Sequence, residues 1–188
     1  MKLVLATQNP KKLKEMNEIL RHLGVEVVSE AELGVRIEVE GLVIAFAVSP
    51  FGLPAVADDS GLCVDALNGG PGVYSARFGG EGLDDKGRYT LLLEMLRGQT
   101  DRAAHFHTSI VCAFPNGDEL VCEGECPGTI AFAPMGEGGF GYDPVFFVPE
   151  LRKTFGQLTA EEKASVSHRG KALRAFAAAL DDYLKGNE

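Results

Sequence analysis

The N-terminal stretch restricts the fold more than any other part of the chain. Lys2-Leu-Val-Leu-Ala6 reads as a buried strand, and the polar run Thr7–Lys12 breaks it. Leu13, Met16, Ile19, Leu20 and Leu23 then recur at helical spacing, Gly24 ends the helix, and Val25-Glu-Val-Val28 is a second strand. Strand, helix and strand at this length make a βαβ unit with a parallel strand pair.

Further on, Val35, Ile37 and Val39 alternate like a strand edge, ahead of the apolar run Leu42–Val48. Leu53–Ala57 reads as a short strand ending at two acids, Asp58 and Asp59. Asn68–Gly72 and Gly79–Gly82 read as loops. A helix is expected from Asp84 or Asp85 to Leu96, with Leu91, Leu92, Met95 and Leu96 facing inward. Ala103–Phe114 alternates as a strand, Pro115-Asn-Gly-Asp118 is a hairpin turn, and Leu120–Glu125 returns. Gly136–Gly141 is a loop and Val145–Val148 a short strand. Thr159 caps a helix with Glu162 at capping-box spacing, and an amphipathic helix runs from Lys171 through Leu180. Parallel and hairpin strands together predict α/β with a mixed central sheet. With no internal repeat or linker, residues 1–188 are expected to form a single domain, with room for two lobes around a cleft.

A net charge of −9 argues against a general nucleic-acid or membrane-surface partner, since both select a basic face. Leu42–Val48 is too short to span a bilayer, and Leu3–Ala6 after Met1-Lys2 is not a signal sequence. A soluble cytoplasmic protein is expected. Cys63, Cys112, Cys122 and Cys126 lack zinc-finger spacing and read as buried thiols.

Four polar clusters remain. Thr7-Gln8-Asn9-Pro10-Lys11-Lys12 stands between strand and helix, where free amides attract anions. Two lysines there oppose the helix dipole, a conflict that an anionic ligand removes; a solvated turn is the plainer reading. In Asp58-Asp59-Ser60, an extended backbone points successive side chains to opposite faces. One acid would then face a cleft, where a divalent cation keeps it ionised, and the other would make structural hydrogen bonds. An Asx turn before Gly61 fits the same letters. Gly139-Phe140-Gly141-Tyr142-Asp143-Pro144 holds an aromatic ring between glycines with an acid nearby, suited to stacking on a base and reading its edge. Core aromatics flanking a turn is the alternative. Lys163, Ser167, His168 and Arg169 form a cationic group before Gly170, either a clamp on a ligand or a water-exposed helix end.

In this order the clusters closely resemble the inosine triphosphate pyrophosphatase family, through "LATQNPKKLKE", "GLPAVADDSGLCVDALNGGPGVYSARFGGE", "GGFGYDPVFF" and "LTAEEKASVSHRGKAL". The resemblance spans nearly the whole chain. It implies Mg²⁺-dependent hydrolysis of ITP, dITP and XTP to monophosphate and pyrophosphate, on an elongated two-lobed α/β fold with a cleft between lobes, as a homodimer. It further implies that Thr7, Gln8, Asn9, Pro10, Lys11 and Lys12 hold the triphosphate. Asp59 becomes the metal-binding acid and catalytic base, and Ser60 an adjacent substrate contact. Phe140, Gly141, Tyr142 and Asp143 stack on and read the base, with Lys163, His168 and Arg169 around it.

One segment departs from the family pattern of a Glu near glycine followed by a helix of the type Phe-x-Glu-Asn-Ala-x-x-Lys-Ala. Residues 41–52 are shorter by more than about two helical turns and carry neither the Glu-Asn pair nor the lysine. Glu38 or Glu40 would then supply the second metal carboxylate. A weakened enzyme, a rebuilt wall or an altered reading frame all fit this text. The rival functions are a pyrophosphatase for other non-standard nucleotides on the related septum-inhibitor-type fold, and a nucleotide-binding protein with weakened catalysis.

Overall fold

The structure, a computed structural model, describes residues 1–7, 10–29, 31–33 and 52–186, with Pro10 and Lys11 described by backbone alone. The expected strand edge at 35–39, the apolar run 42–48, and Gln8, Asn9, Glu38 and Glu40 lie outside the described residues.

The chain divides into two compact units, residues 1–59, 109–123 and 172–188 in one and 60–108 and 124–171 in the other. The first contains the expected βαβ unit: β1 (Lys2–Leu5), α1 (Pro10–Leu20) and β2 (Glu26–Ser29). α1 begins three residues earlier than its apolar period, because proline at a first helical position sacrifices no needed N–H. β1 pairs in parallel with β2, and also with β3 (Ala55–Val64) through Val4 and Leu5. Asn17 ties α1 to β2 in both directions, donating to Val27 O at 2.8 Å and accepting from Val27 N at 3.0 Å. Met16 and Leu20 of α1 pack with Leu3, Val56 and Phe176 in a buried core.

β3 does not end at the acids, as the sequence had suggested, but runs through them to Val64. Its far end is held by β4 (Gly70–Gly72), antiparallel to it, within a segment expected to be only loop. Ser75 secures the pair, accepting from Leu62 N at 2.8 Å and donating to Gly72 O at 2.6 Å. The extended backbone excludes an Asx turn at Asp58–Gly61.

In the second unit α2 (Asp85–Met95) is capped by Asp84, whose Oδ1 accepts from Gly87 N at 2.7 Å. Leu92 and Leu96 are buried, but Met95 is 48% exposed, a correction to its expected inward orientation. The buried stripe is set by the 92/96 pair one turn apart, and Met95 falls outside it. β5 (Ala103–Ala113) and β6 (Glu119–Ile130), each divided between the two units, follow; β6 extends five residues beyond Glu125 because its in-out alternation continues to Ile130. β7 (Phe146–Val148) and β8 (Lys153–Thr154) add antiparallel pairs. The strand order is β2-β1-β3-β5-β6-β7-β8, with β4 beside β3, a mixed sheet as expected. Arg102 is buried and donates to Leu96 O, Ile130 O and Ala131 O, joining the end of α2 to the end of β6. Desolvation lowers its pKa.

α3 (Ala160–Val166) carries the full capping box, with Thr159 and Glu162 each accepting from the other's backbone N–H. α4 (His168–Gly186) starts three residues before Lys171, because Ser167 Oγ accepts from Gly170 N at 3.0 Å and caps it.

Candidate active site

Two groups of the expected residues are built by these elements. In the first unit, alternation along β3 buries Asp58 and exposes Asp59. The Asp58 carboxylate is sealed from water, and Lys12 Nζ lies 2.8 Å from its Oδ1. The same ammonium donates at 3.1 Å to Asp58 O, the carbonyl of the peptide leading into Asp59. Lys12 sits in the first turn of α1, which has no acid of its own; Asp58 supplies the charge that the helix N-terminus does not. The result is an exposed carboxylate beside a locally neutral ion pair. Thr7 follows β1, directly before the undescribed Gln8 and Asn9.

In the second unit, Asp143 is the hub. Its buried carboxylate Oδ2 accepts from Phe140 N at 2.8 Å and from Lys163 Nζ at 2.5 Å. A Cβ on Gly139 would lie 1.9 Å from the same oxygen, and its φ of +78° is one that glycine adopts freely. Phe140 is 40% exposed, with Lys163 Nζ 4.7 Å from its ring centroid. Gly141 N donates to Asp85 Oδ2 at 2.7 Å. Tyr142 points the other way, buried and donating from its hydroxyl to Ser75 O at 2.9 Å; burial pushes its pKa up to about 12. Of this segment, Phe140 is exposed and Tyr142 is anchored in the core.

His168 and Arg169 are both buried, which excludes the water-exposed helix end. The His168 ring stacks on Phe106 at 4.5 Å with planes 11° apart. Gly170 permits this approach of α3 and α4, since a Cβ there would lie 1.9 Å from Ala164 O. Ser60 Oγ shares a 2.5 Å hydrogen bond with Thr108 Oγ1.

Asp59 offers the hard oxygen that Mg²⁺ prefers. Among the described residues no group of three or more His, Cys, Asp or Glu side chains converges as a complete metal cage. This donor set fits a magnesium ion held by one or two carboxylates plus substrate oxygens, better than it fits a structural metal. All four cysteines are free thiols.

The Ham1 family model matches residues 3–179. The chain belongs to the Ham1 family. A relative from Exiguobacterium, named dITP/XTP pyrophosphatase, is 47% identical over 196 aligned residues covering 99% of this chain and all of the relative. A second protein of that name, from Thermus thermophilus, is 48% identical over 97% of this chain and 93% of its own. Among solved structures, a HAM1 protein from Coxiella burnetii superposes with a TM-score of 0.90 at 40% identity, covering 97% of this chain and 99% of that one. The Staphylococcus aureus Ham1 protein gives 0.87 at 36%, with both chains covered completely. The Exiguobacterium alignment is eight positions longer than this Ham1 chain, so that relative carries residues without counterpart here.

Two contributors to the site escaped the sequence reading. Asp58 was legible only as one of two acids, and its pairing with Lys12 spans 46 residues. Asp85 read as a helix start, which it also is; its bond to Gly141 spans 56 residues and leaves no local signal.

Proposed function

We propose that the protein is a Mg²⁺-dependent nucleoside triphosphate pyrophosphohydrolase that converts ITP, dITP and XTP to the monophosphate and pyrophosphate. The observation that carries this reading is near-full-length similarity, at 47–48% identity, to proteins named dITP/XTP pyrophosphatase.

In this reading Thr7 to Lys12 hold the triphosphate and Ser60 contacts the substrate beside them. Asp59, with Glu38 or Glu40, holds Mg²⁺, which when bound supplies Lewis-acid stabilisation of charge on phosphate oxygens. Asp59 also orients the attacking water and accepts its proton. The water oxygen bonds to the α-phosphorus, the bond to the bridging oxygen of the α–β anhydride breaks, and pyrophosphate leaves. Positioning and charge neutralisation carry most of such a transfer. Phe140 stacks on the purine, and Gly141, Tyr142 and Asp143 shape the base contact with Lys163. His168 and Arg169 direct donors at a 6-oxo group, which disfavours adenine because its 6-amino group leaves them unpaired.

Residues 1–188 act as one domain in this reading, taking the substrate in a cleft, as a cytoplasmic homodimer. No helix among the described residues is long and apolar enough to cross a membrane. The second reading, a nucleotide-binding protein with weakened catalysis, is favoured by one observation: 41–52 lacks the Glu-Asn pair and lysine of the family pattern. ITP hydrolysis with and without Mg²⁺, with products identified, decides between them. Metal-dependent release of pyrophosphate and IMP supports the enzyme; ITP binding without turnover supports the binding protein.

A further inference from the structure

We propose that Asp85 is a positioning residue for the base-stacking ring of Phe140. The inference rests on the reading of Phe140 as the aromatic platform for the purine.

The platform belongs to the glycine-rich run Gly138–Gly141, and Phe140 is 40% exposed, so side-chain packing alone does not fix it. Its backbone is held by two carboxylates on consecutive N–H groups. Phe140 N donates to Asp143 Oδ2 at 2.8 Å, a bond local to the loop. Gly141 N donates to Asp85 Oδ2 at 2.7 Å, a bond that ties the loop to α2. Asp84 and Asp85 divide their work: Asp84 Oδ1 caps the helix through Gly87 N, leaving Asp85 for the loop. One turn along, Arg88 Nη1 lies 3.7 Å from the other Asp85 oxygen and restrains the carboxylate. Asp85, Arg88, Phe140, Gly141 and Pro144 share the wall of one cavity of about 530 Å³, so the ring and its anchor form a single structure.

Without the Asp85 carboxylate, Gly141 N–H bonds to water and the Phe140–Gly141 peptide gains freedom to rotate. The stacking-competent orientation is then a fraction of the population, and apparent affinity falls by that fraction. Phe140 makes no bond to the reacting phosphorus in this reading, so the chemical step is affected less than binding.

The test is steady-state ITP hydrolysis by wild type, Asp85→Ala and Asp85→Asn, with a melting temperature for each. Asp85→Ala is expected to raise KM about three- to tenfold, the scale of one solvent-exposed hydrogen bond, and to lower kcat less. Asp85→Asn keeps an acceptor oxygen for Gly141 N–H and is expected to recover most of the KM. A KM for Asp85→Ala within twofold of wild type overturns the proposal. So does an Asp85→Asn variant as impaired as the alanine variant, which would make Asp85 a structural residue only. Wild type that releases no pyrophosphate from ITP overturns the functional reading, and the positioning role with it.

Discussion

Lys12 reaches Asp58 twice, through the buried carboxylate oxygen at 2.8 Å and through the backbone carbonyl at 3.1 Å. The ammonium is therefore fixed beside the peptide that carries Asp59. Its charge is balanced within the protein, which makes it an oriented donor rather than a loose cation.

The two ends of this pair are sealed unequally, since the Lys12 side chain is 20% exposed and that of Asp58 is fully buried. Lys12→Met removes the ammonium that neutralises a buried carboxylate and is expected to cost about 3–5 kcal/mol. Asp58→Asn leaves an ammonium that can turn toward water and is expected to cost about 1–3 kcal/mol. Urea unfolding of both variants measures the difference. Equal losses would contradict the asymmetric burial.

Asp59 is exposed on β3, and its replacement leaves no hole in a core. Asp59→Asn is expected to keep the wild-type melting temperature and to lower kcat by about a hundredfold or more, from several kcal/mol of lost charge stabilisation. Near-wild-type pyrophosphate release would remove Asp59 from the chemistry.

Gly139→Ala places a methyl group 1.9 Å from Asp143 Oδ2 at a backbone φ of +78°. The alanine is expected to destabilise by about 1–3 kcal/mol. It should also raise KM for ITP, because Asp143 must release Phe140 N or Lys163 to make room. Thermal unfolding and KM measured on one preparation check both effects, and an unaltered KM would separate Asp143 from the base contact.

The Glu162 carboxyl lies below its ordinary range, mainly through the Thr159 backbone N–H and next through Lys153. A folded-state pKa below the unfolded one means that its stabilisation is complete above the unfolded value of about 4.5 and lost as pH falls through the folded value. Glu162→Gln is therefore expected to be less stable than wild type at pH 6, with the gap closing as the pH falls below 4.5 and through the lower folded value. Urea midpoints across this range test the sign, and a gap that widens in acid would reverse it.

The βαβ unit was legible because Met16 and Leu20 are spaced for a helix and Leu3 and Leu5 for a strand, so local periodicity and core position agree. The different fates of Asp58 and Asp59 followed from strand alternation, although the strand's true length did not. β3 continues because Gly70–Gly72 pairs with it, and short Gly-Pro segments read as loops until a partner strand is known. Asn17–Val27 and Asp85–Gly141 were hidden for a similar reason: each joins a side chain to the backbone of a distant element. A hydrogen bond of that kind sets no period.

Arg169 is buried at the start of α4, next to a histidine whose ring lies flat on Phe106. Packing of this kind fixes the direction of a donor, and a fixed donor discriminates better than a mobile one because a mismatched substrate leaves it unpaired. If Arg169 faces the 6-position of the base, Arg169→Ala removes a donor that ITP satisfies and ATP does not. The kcat/KM preference for ITP over ATP is then expected to narrow by about tenfold, with most of the loss on ITP. A variant that loses activity on both nucleotides in equal proportion would instead remove Arg169 from base selection. Measuring both substrates with one enzyme preparation separates these cases, since partial unfolding lowers both rates by the same factor and leaves their ratio unchanged.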